Sequence, residues 1–173
     1  MLASAIRVRH VRNCCTPEID RLPHVVVDWV DWRTRRIPLK KGSIRGFHPG
    51  RLGEAAIPFE SLGECEAISA LLKYEDVSEI QSQPFTIHFR ADNQRHRYTP
   101  DLLVQFRSVP NDLFEKGFER LTLVECKPPS KLPDYASSTV LNRAAIAEIT
   151  SVPLVVVIDA ALTTAFPEVR DEY

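Results

Sequence analysis

The sequence predicts an α/β fold: a mixed central sheet flanked by helices, preceded by a basic extension that contains a strand. Three observations predict it. Residues 60–75 place apolar side chains at helical spacing behind a crowd of acids. Three stretches rich in strand-forming residues follow, at 83–90, 96–107 and 121–127. A second helical pattern then leads into the apolar run 153–159. The predicted core order is helix, strand, strand, strand, helix, strand (αβββαβ).

Each element has its own warrant. His24 to Trp32 (HVVVDWVDW) reads as a strand, rich in Val and Trp with partial alternation. Trp29 and Trp32 are expected as core or interface anchors. Arg33, Arg35, Arg36, Lys40 and Lys41 follow, then a Gly- and Pro-containing stretch from Gly42 to Gly53. Residues 1–43 are therefore taken as an N-terminal extension and 44–173 as the main domain. In the first helix, Leu62, Ile68, Leu71 and Leu72 form the apolar stripe, and Gly63 weakens its first turn. Glu64 shares that inward side. Gln83 to Arg90 runs into the turn-like Ala91-Asp92-Asn93-Gln94, and His96 to Arg107 returns as the other arm of a hairpin. Leu121 to Lys127 is stopped by Pro128-Pro129. Leu141, Ala144, Ala145 and Ile149 mark a helix over about 136–149. The closing run PLVVVID is typical of a strand covered on both faces.

Composition narrows the class. The 173 residues are 44% hydrophobic and 26% charged, as in globular proteins of one domain. No run approaches the roughly 20 apolar residues that span a bilayer, so no membrane partner is expected. The opening MLASAIRVRH turns basic too soon for a secretory signal. Four cysteines, Cys14, Cys15, Cys65 and Cys126, form no CxxC pair, so a reduced cytoplasmic compartment is expected. The net charge of −1 hides an asymmetry: residues 1–55 hold 11 Lys and Arg against 5 Asp and Glu, the remainder 11 against 18. A basic front half suggests an anionic partner there, with a merely solvated face as the alternative.

The chemistry converges on strand 121–127. Side chains alternate along a strand, so Glu125 and Lys127 share one face while Val124 and Cys126 share the other. A carboxylate and an ammonium at the end of an apolar strand are costly to bury unless paired or metal-bound. Asp101, after Pro100, lies on the preceding strand about 4.8 Å away if the two strands pair. Asp101 and Glu125 with a backbone carbonyl at Cys126 make a hard oxygen site suited to Mg²⁺ or Mn²⁺, as one or two ions. Lys127 then points at the same spot, where it would stabilise developing phosphate charge or hold a water. Glu64 would complete the metal set, with Glu60 a rival one turn away.

Other residues carry two readings each. Gln83 either positions a water or the lysine, or caps a strand. Arg90, Arg95, His96 and Arg97 gather at the hairpin tip, as a phosphate contact or as a solvated turn. Arg45, His48 and Arg51 lead into the first helix, as a DNA contact or as a simple loop.

The helix with its inward Glu64, the Pro100-Asp101 strand and the Glu125-Cys126-Lys127 strand together resemble the restriction-endonuclease-like fold with its PD…(D/E)xK pattern. The chain also resembles the TnsA endonuclease subunits of heteromeric bacterial transposons. The resemblance runs through Arg45-Gly46-Phe47-His48-Pro49, Phe59-Glu60-Ser61-Leu62 with Glu64, Gln83-Pro84, Tyr98-Thr99-Pro100-Asp101 and Val124-Glu125-Cys126-Lys127. It implies Mg²⁺-dependent DNA cleavage of the non-transferred strand at transposon ends. Glu64, Asp101 and Glu125 would be metal ligands and Lys127 the catalytic lysine. The implied partners are DNA, an integrase-type transposase subunit and an ATPase regulator, in the bacterial cytoplasm at the nucleoid. Two alternatives stand beside it: a stand-alone nuclease for restriction, repair or junction resolution, and a non-catalytic DNA-binding or assembly module.

Overall fold

A computed structural model describes residues 23–34 and 44–165. Cys14, Cys15 and the basic residues Arg35, Arg36, Lys40 and Lys41 lie outside the described residues. The elements in chain order are β1 (Val26–Asp31), β2 (Gly46–His48), β3 (Ile57–Phe59), α1 (Leu62–Leu71), β4 (Val77–Ser82), β5 (Thr86–Ala91), β6 (Gln94–Tyr98), β7 (Leu102–Phe106), α2 (Asn111–Phe114), β8 (Leu121–Cys126), α3 (Leu132–Ile149), β9 (Leu154–Val157) and β10 (Thr164–Ala165). Among the described residues, no helix is long and apolar enough to cross a membrane.

The central sheet has five strands in the order β10-β9-β8-β7-β4. It is mixed, because β8 and β9 run parallel while the other pairs are antiparallel. Its two faces are apolar on alternate residues. Leu102, Val104, Phe106, Val124, Val155 and Val157 pack with Ala67, Ile68, Ala70 and Leu71 of α1. Leu103, Leu123 and Leu154 pack with Ala144, Ala145, Ile146 and Ile149 of α3. A helix therefore covers each face, as the sequence predicts. Pro133 sits in the first turn of α3, where a missing N–H costs nothing, which lets that helix begin at Leu132 rather than near 136.

A second sheet, β1-β5-β6, is antiparallel throughout and turns its inner side chains, Ile87, Phe89, Ala91 and Tyr98, into the α3 side of the core. The predicted hairpin is present. Its turn residues Asp92 and Asn93 both take left-handed backbone, with φ of 48° and 62°, as a tight two-residue hairpin requires. β1, in the predicted extension, is paired to β5 with a bulge between Val27 and Trp29. A short ribbon of β2 and β3 lies beside α1.

Two strand readings change. The stretch 96–107 is not one strand: it breaks into β6 and β7, which belong to different sheets. The break falls at Thr99-Pro100-Asp101, where Pro100 has no N–H to continue a ladder. β4, unpredicted, is the third strand of the central sheet in place of the expected 83–90, and leaves it at the matching point, Gln83-Pro84-Phe85. Around the central sheet the order runs α1, β4, β7, β8, α3, β9, with β4 in place of the predicted strand 83–90, the β5–β6 hairpin inserted between β4 and β7, and the short α2 between β7 and β8. The two crossing points are tied together: the Gln83 N–H donates to the Asp101 carbonyl at 2.8 Å, and Thr86 and Thr99 share a hydroxyl hydrogen bond at 2.8 Å.

Candidate active site

β7 and β8 pair with Leu102 opposite Val124, which sets Asp101 beside Glu125 at the end of the ladder. Alternation then puts Asp101, Glu125 and Lys127 on the α3 face, while Val124 and Cys126 face α1. The Cys126 N–H donates to Asp101 Oδ2 at 2.8 Å. The buried Tyr98 hydroxyl donates to Glu125 Oε2 at 2.7 Å. The other Glu125 oxygen forms an ion pair with Lys127 Nζ, and that ammonium also sits 4.5 Å from the centre of the Tyr135 ring. Sequence reasoning thus brings Asp101, Glu125 and Lys127 together correctly. It leaves out Tyr98 and Tyr135, although Tyr98 alternates inward three residues before Asp101.

Glu64 comes from α1, on the opposite face. Ser61 is the N-cap of this helix: its Oγ accepts from the Glu64 N–H at 3.2 Å. In return, Glu64 Oε1 accepts from the Ser61 hydroxyl and Oε2 from the Glu60 N–H, both at 2.8 Å. This is close to a capping box, and the Ser-x-x-Glu spacing spells it in the sequence. Both Glu64 oxygens are therefore engaged at the helix start. The rival, Glu60, lies 3.8 Å from Arg45 Nη2 in a half-buried ion pair.

The electrostatics tie these groups into one neighbourhood. Burial pushes the Asp101 carboxyl well above the usual carboxylate range, and the charges of Glu125 and Glu64 push it further. The Lys127 charge and the Cys126 N–H oppose that rise. Glu64 is also raised, by burial above all, against its cap hydrogen bonds and the Lys127 charge. Burial alone would lower Lys127, but Glu125 and Asp101 hold its pKa above the ordinary lysine value. Lys127 is accordingly an ammonium at neutral pH. Burial drives the Cys126 thiol up, and the charges of Asp101, Glu64 and Glu125 push it further.

The donor set is one of hard oxygens, with crowded carboxylates that a divalent cation would relieve. Yet among the described residues, no three His, Cys, Asp or Glu side chains gather as a ready ligand cluster. Lys127 occupies the position of positive charge beside Glu125. The residues suit an oxygen-ligated ion at Asp101 and Glu125 once Lys127 yields one Glu125 oxygen.

The remaining predicted residues are placed as follows. Gln83 is buried beside the site with a left-handed φ of 45°, and among the described residues its Oε1 has no hydrogen-bond partner. His48 and Arg51, expected as possible DNA contacts, are engaged inside the protein. His48 Nε2 meets Ser69 Oγ at 3.0 Å, and its Nδ1 accepts from the Gly50 N–H at 3.1 Å. Arg51 donates to the carbonyls of Val77, of Leu72 at 3.3 Å and of Tyr74 at 2.6 Å, closing the C-terminal end of α1. Arg45 is half-buried against Glu60. Arg95 and Arg97 lie on β6 and are exposed.

A family model for the TnsA-like endonuclease N-terminal domain matches residues 74–150. This segment is TnsA-like. The TnsA-like segment takes in β4 through α3, and with them Gln83, Tyr98, Asp101, Glu125, Lys127 and Tyr135; α1 with Glu64 precedes it. A comparison with curated proteins finds no match. The match relates residues 74–150 to an endonuclease domain of transposase-related subunits, and Asp101, Glu125 and Lys127 fall inside that segment.

Proposed function

We propose that the protein is a metal-dependent DNA endonuclease of the PD-(D/E)xK type on a restriction-endonuclease-like core. In this reading it cuts the non-transferred strand at transposon ends, in the bacterial cytoplasm. One observation carries the reading: within the TnsA-like segment, Asp101 and Glu125 lie side by side on paired strands, with the Lys127 ammonium against them. Asp101 and Glu125 would hold Mg²⁺ or Mn²⁺, with Glu64 near enough to add charge. A bound cation would supply Lewis-acid activation of water and neutralise developing phosphate charge.

The chain's own residues do the rest. Lys127, held above the ordinary lysine value by Glu125 and Asp101, is fitted to stabilise a phosphorane oxyanion or leaving group. Tyr98 orients Glu125, and the Cys126 N–H fixes one Asp101 oxygen. Tyr135 screens Lys127 from water on one side. Sequence choice is assigned to an integrase-type transposase partner and an ATPase regulator.

The test is nicking of a duplex carrying a transposon end, with Mg²⁺ or Mn²⁺ and the partner transposase. Wild type is expected to cut and Asp101→Ala to be silent; equal cutting by both refutes the assignment. A second reading, a non-catalytic assembly module, is favoured by the closed state of Glu64 and Glu125. Calorimetric titration with Mn²⁺ separates the two. Binding that disappears in Asp101→Ala and in Glu125→Ala supports the nuclease, and no binding in wild type supports the module.

A further inference from the structure

The outer face of the β1-β5-β6 sheet does no work in the site described above. Its inner face is spent on the core, so the outer residues follow from alternation and register. Trp29, His88 and Arg97 stand abreast across the three strands. Val26, Arg90 and Arg95 form the next row, two residues along. The rows are about 7 Å apart at the strand rise. Trp29 is 51% exposed although its ring stacks on His88, with centroids 3.9 Å apart and planes 8° from parallel. It is therefore no core anchor. Arg90, Arg95 and Arg97 are exposed. Arg90 pairs with Asp28, whereas among the described residues no carboxylate pairs with Arg95 or Arg97. The face is thus cationic, with one flat apolar plate.

We propose that this face is the docking surface for duplex DNA, gripping its sugar–phosphate backbone and leading it to the scissile position. The proposal rests on the nuclease reading for the destination of the strand. Charge complementarity names the occupant: two unpaired guanidiniums on adjacent rungs suit successive phosphates, and the Trp29–His88 plate suits sugars. Continuity names the direction. β6 carries Arg95 and Arg97 outward and turns Tyr98 inward onto Glu125, and the chain beyond it meets Asp101 three residues later. β6 thus carries both the phosphate grip and, through Tyr98, a direct hydrogen bond to the carboxylate site.

The experiment uses the full chain without metal, in chelator, binding a fluorescent duplex by anisotropy from 50 to 200 mM salt. Removing two phosphate contacts in Arg95→Ala/Arg97→Ala lowers the log–log salt slope by about 2, so the variant loses about tenfold less affinity over that range than wild type. The loss should be alike on unrelated sequences. Arg120→Ala, on an exposed residue at the far end of β8, should leave the slope unchanged. An unchanged slope in the double variant, an equal change in Arg120→Ala, or a wild type with no salt-dependent binding overturns the proposal. So does a polyglutamate competitor as effective as DNA at equal charge. Binding is read here without metal and cutting in the separate nicking test, so the outcomes are separable: a chain that grips DNA through this face and never cuts defeats only the nuclease reading, while a chain that cuts with an unaltered slope in the double variant defeats only the face.

Discussion

Tyr98→Phe removes one oxygen and little else. The ring stays in the core, so no cavity opens and no apolar contact is lost. What disappears is the hydrogen bond to Glu125 Oε2, 2.7 Å long and buried at both ends. A hydrogen bond to a charged group contributes about 1.5–3 kcal/mol, and here its loss leaves a buried carboxylate oxygen unpaired. Unfolding in urea should therefore show a stability lower by about 1.5–3 kcal/mol at constant m. Thermal unfolding should fall by roughly 3–12 °C for a chain of this size. Lys127 holds the other Glu125 oxygen, so the two partners should not act independently. A cycle with Lys127→Met should give a coupling of about 0.5 kcal/mol or more. A Tyr98→Phe loss below about 0.5 kcal/mol would refute the idea that this hydroxyl sustains the buried charge.

Asp101→Asn should stabilise the fold by about 0.5–2 kcal/mol at neutral pH while abolishing cutting, as expected where function is held at a cost to stability. The sign follows from linkage. A carboxyl whose folded pKa is raised binds more protons in the native state, so stability falls as pH climbs from the ordinary carboxylate range through the raised folded value. In urea titrations across that range, wild type should lose stability with rising pH and Asp101→Asn should lose less; parallel curves would contradict the burial of charge. Arg51→Ala should cost about 2–3 kcal/mol by freeing the carbonyls of Val77, Leu72 and Tyr74. Its DNA-binding salt slope should match wild type, and a lowered slope would show an outward-facing role instead. Ser61→Ala should cost about 1 kcal/mol, read by chemical denaturation, through loss of the N-cap of α1. A neutral result would mean that Glu64 holds the helix start unaided.

The grouping of Asp101, Glu125 and Lys127 was more legible in the sequence than the sheet around it. Period-two alternation in Leu121 to Lys127 is enough to put Glu125 and Lys127 on one face, and a paired strand brings Asp101 beside them. β4 is hard to read because it is an edge strand with Ser78, Glu79 and Gln81 among few apolar residues, and a bulge after Val77 spoils its period. The division of 96–107 was written in Pro100, yet only the partner sheets show that the chain changes layer there. Arg51 and His48 look like surface cations in sequence. Nothing local reveals that the last carbonyls of α1 stand waiting for Arg51, since that contact spans more than 20 residues. Trp29 fails as a core residue because the bulge beside it turns its ring outward over His88.

The hairpin spliced between β4 and β7 leaves and rejoins its host at two prolines stitched by an amide-to-carbonyl link and a hydroxyl pair. Such an arrangement lets the inserted arm vary in length, charge or aromatic content while the carboxylates behind it stay fixed. Substrate choice and bond breaking can then drift on separate schedules, provided Gln83 and Asp101 keep their grip on each other.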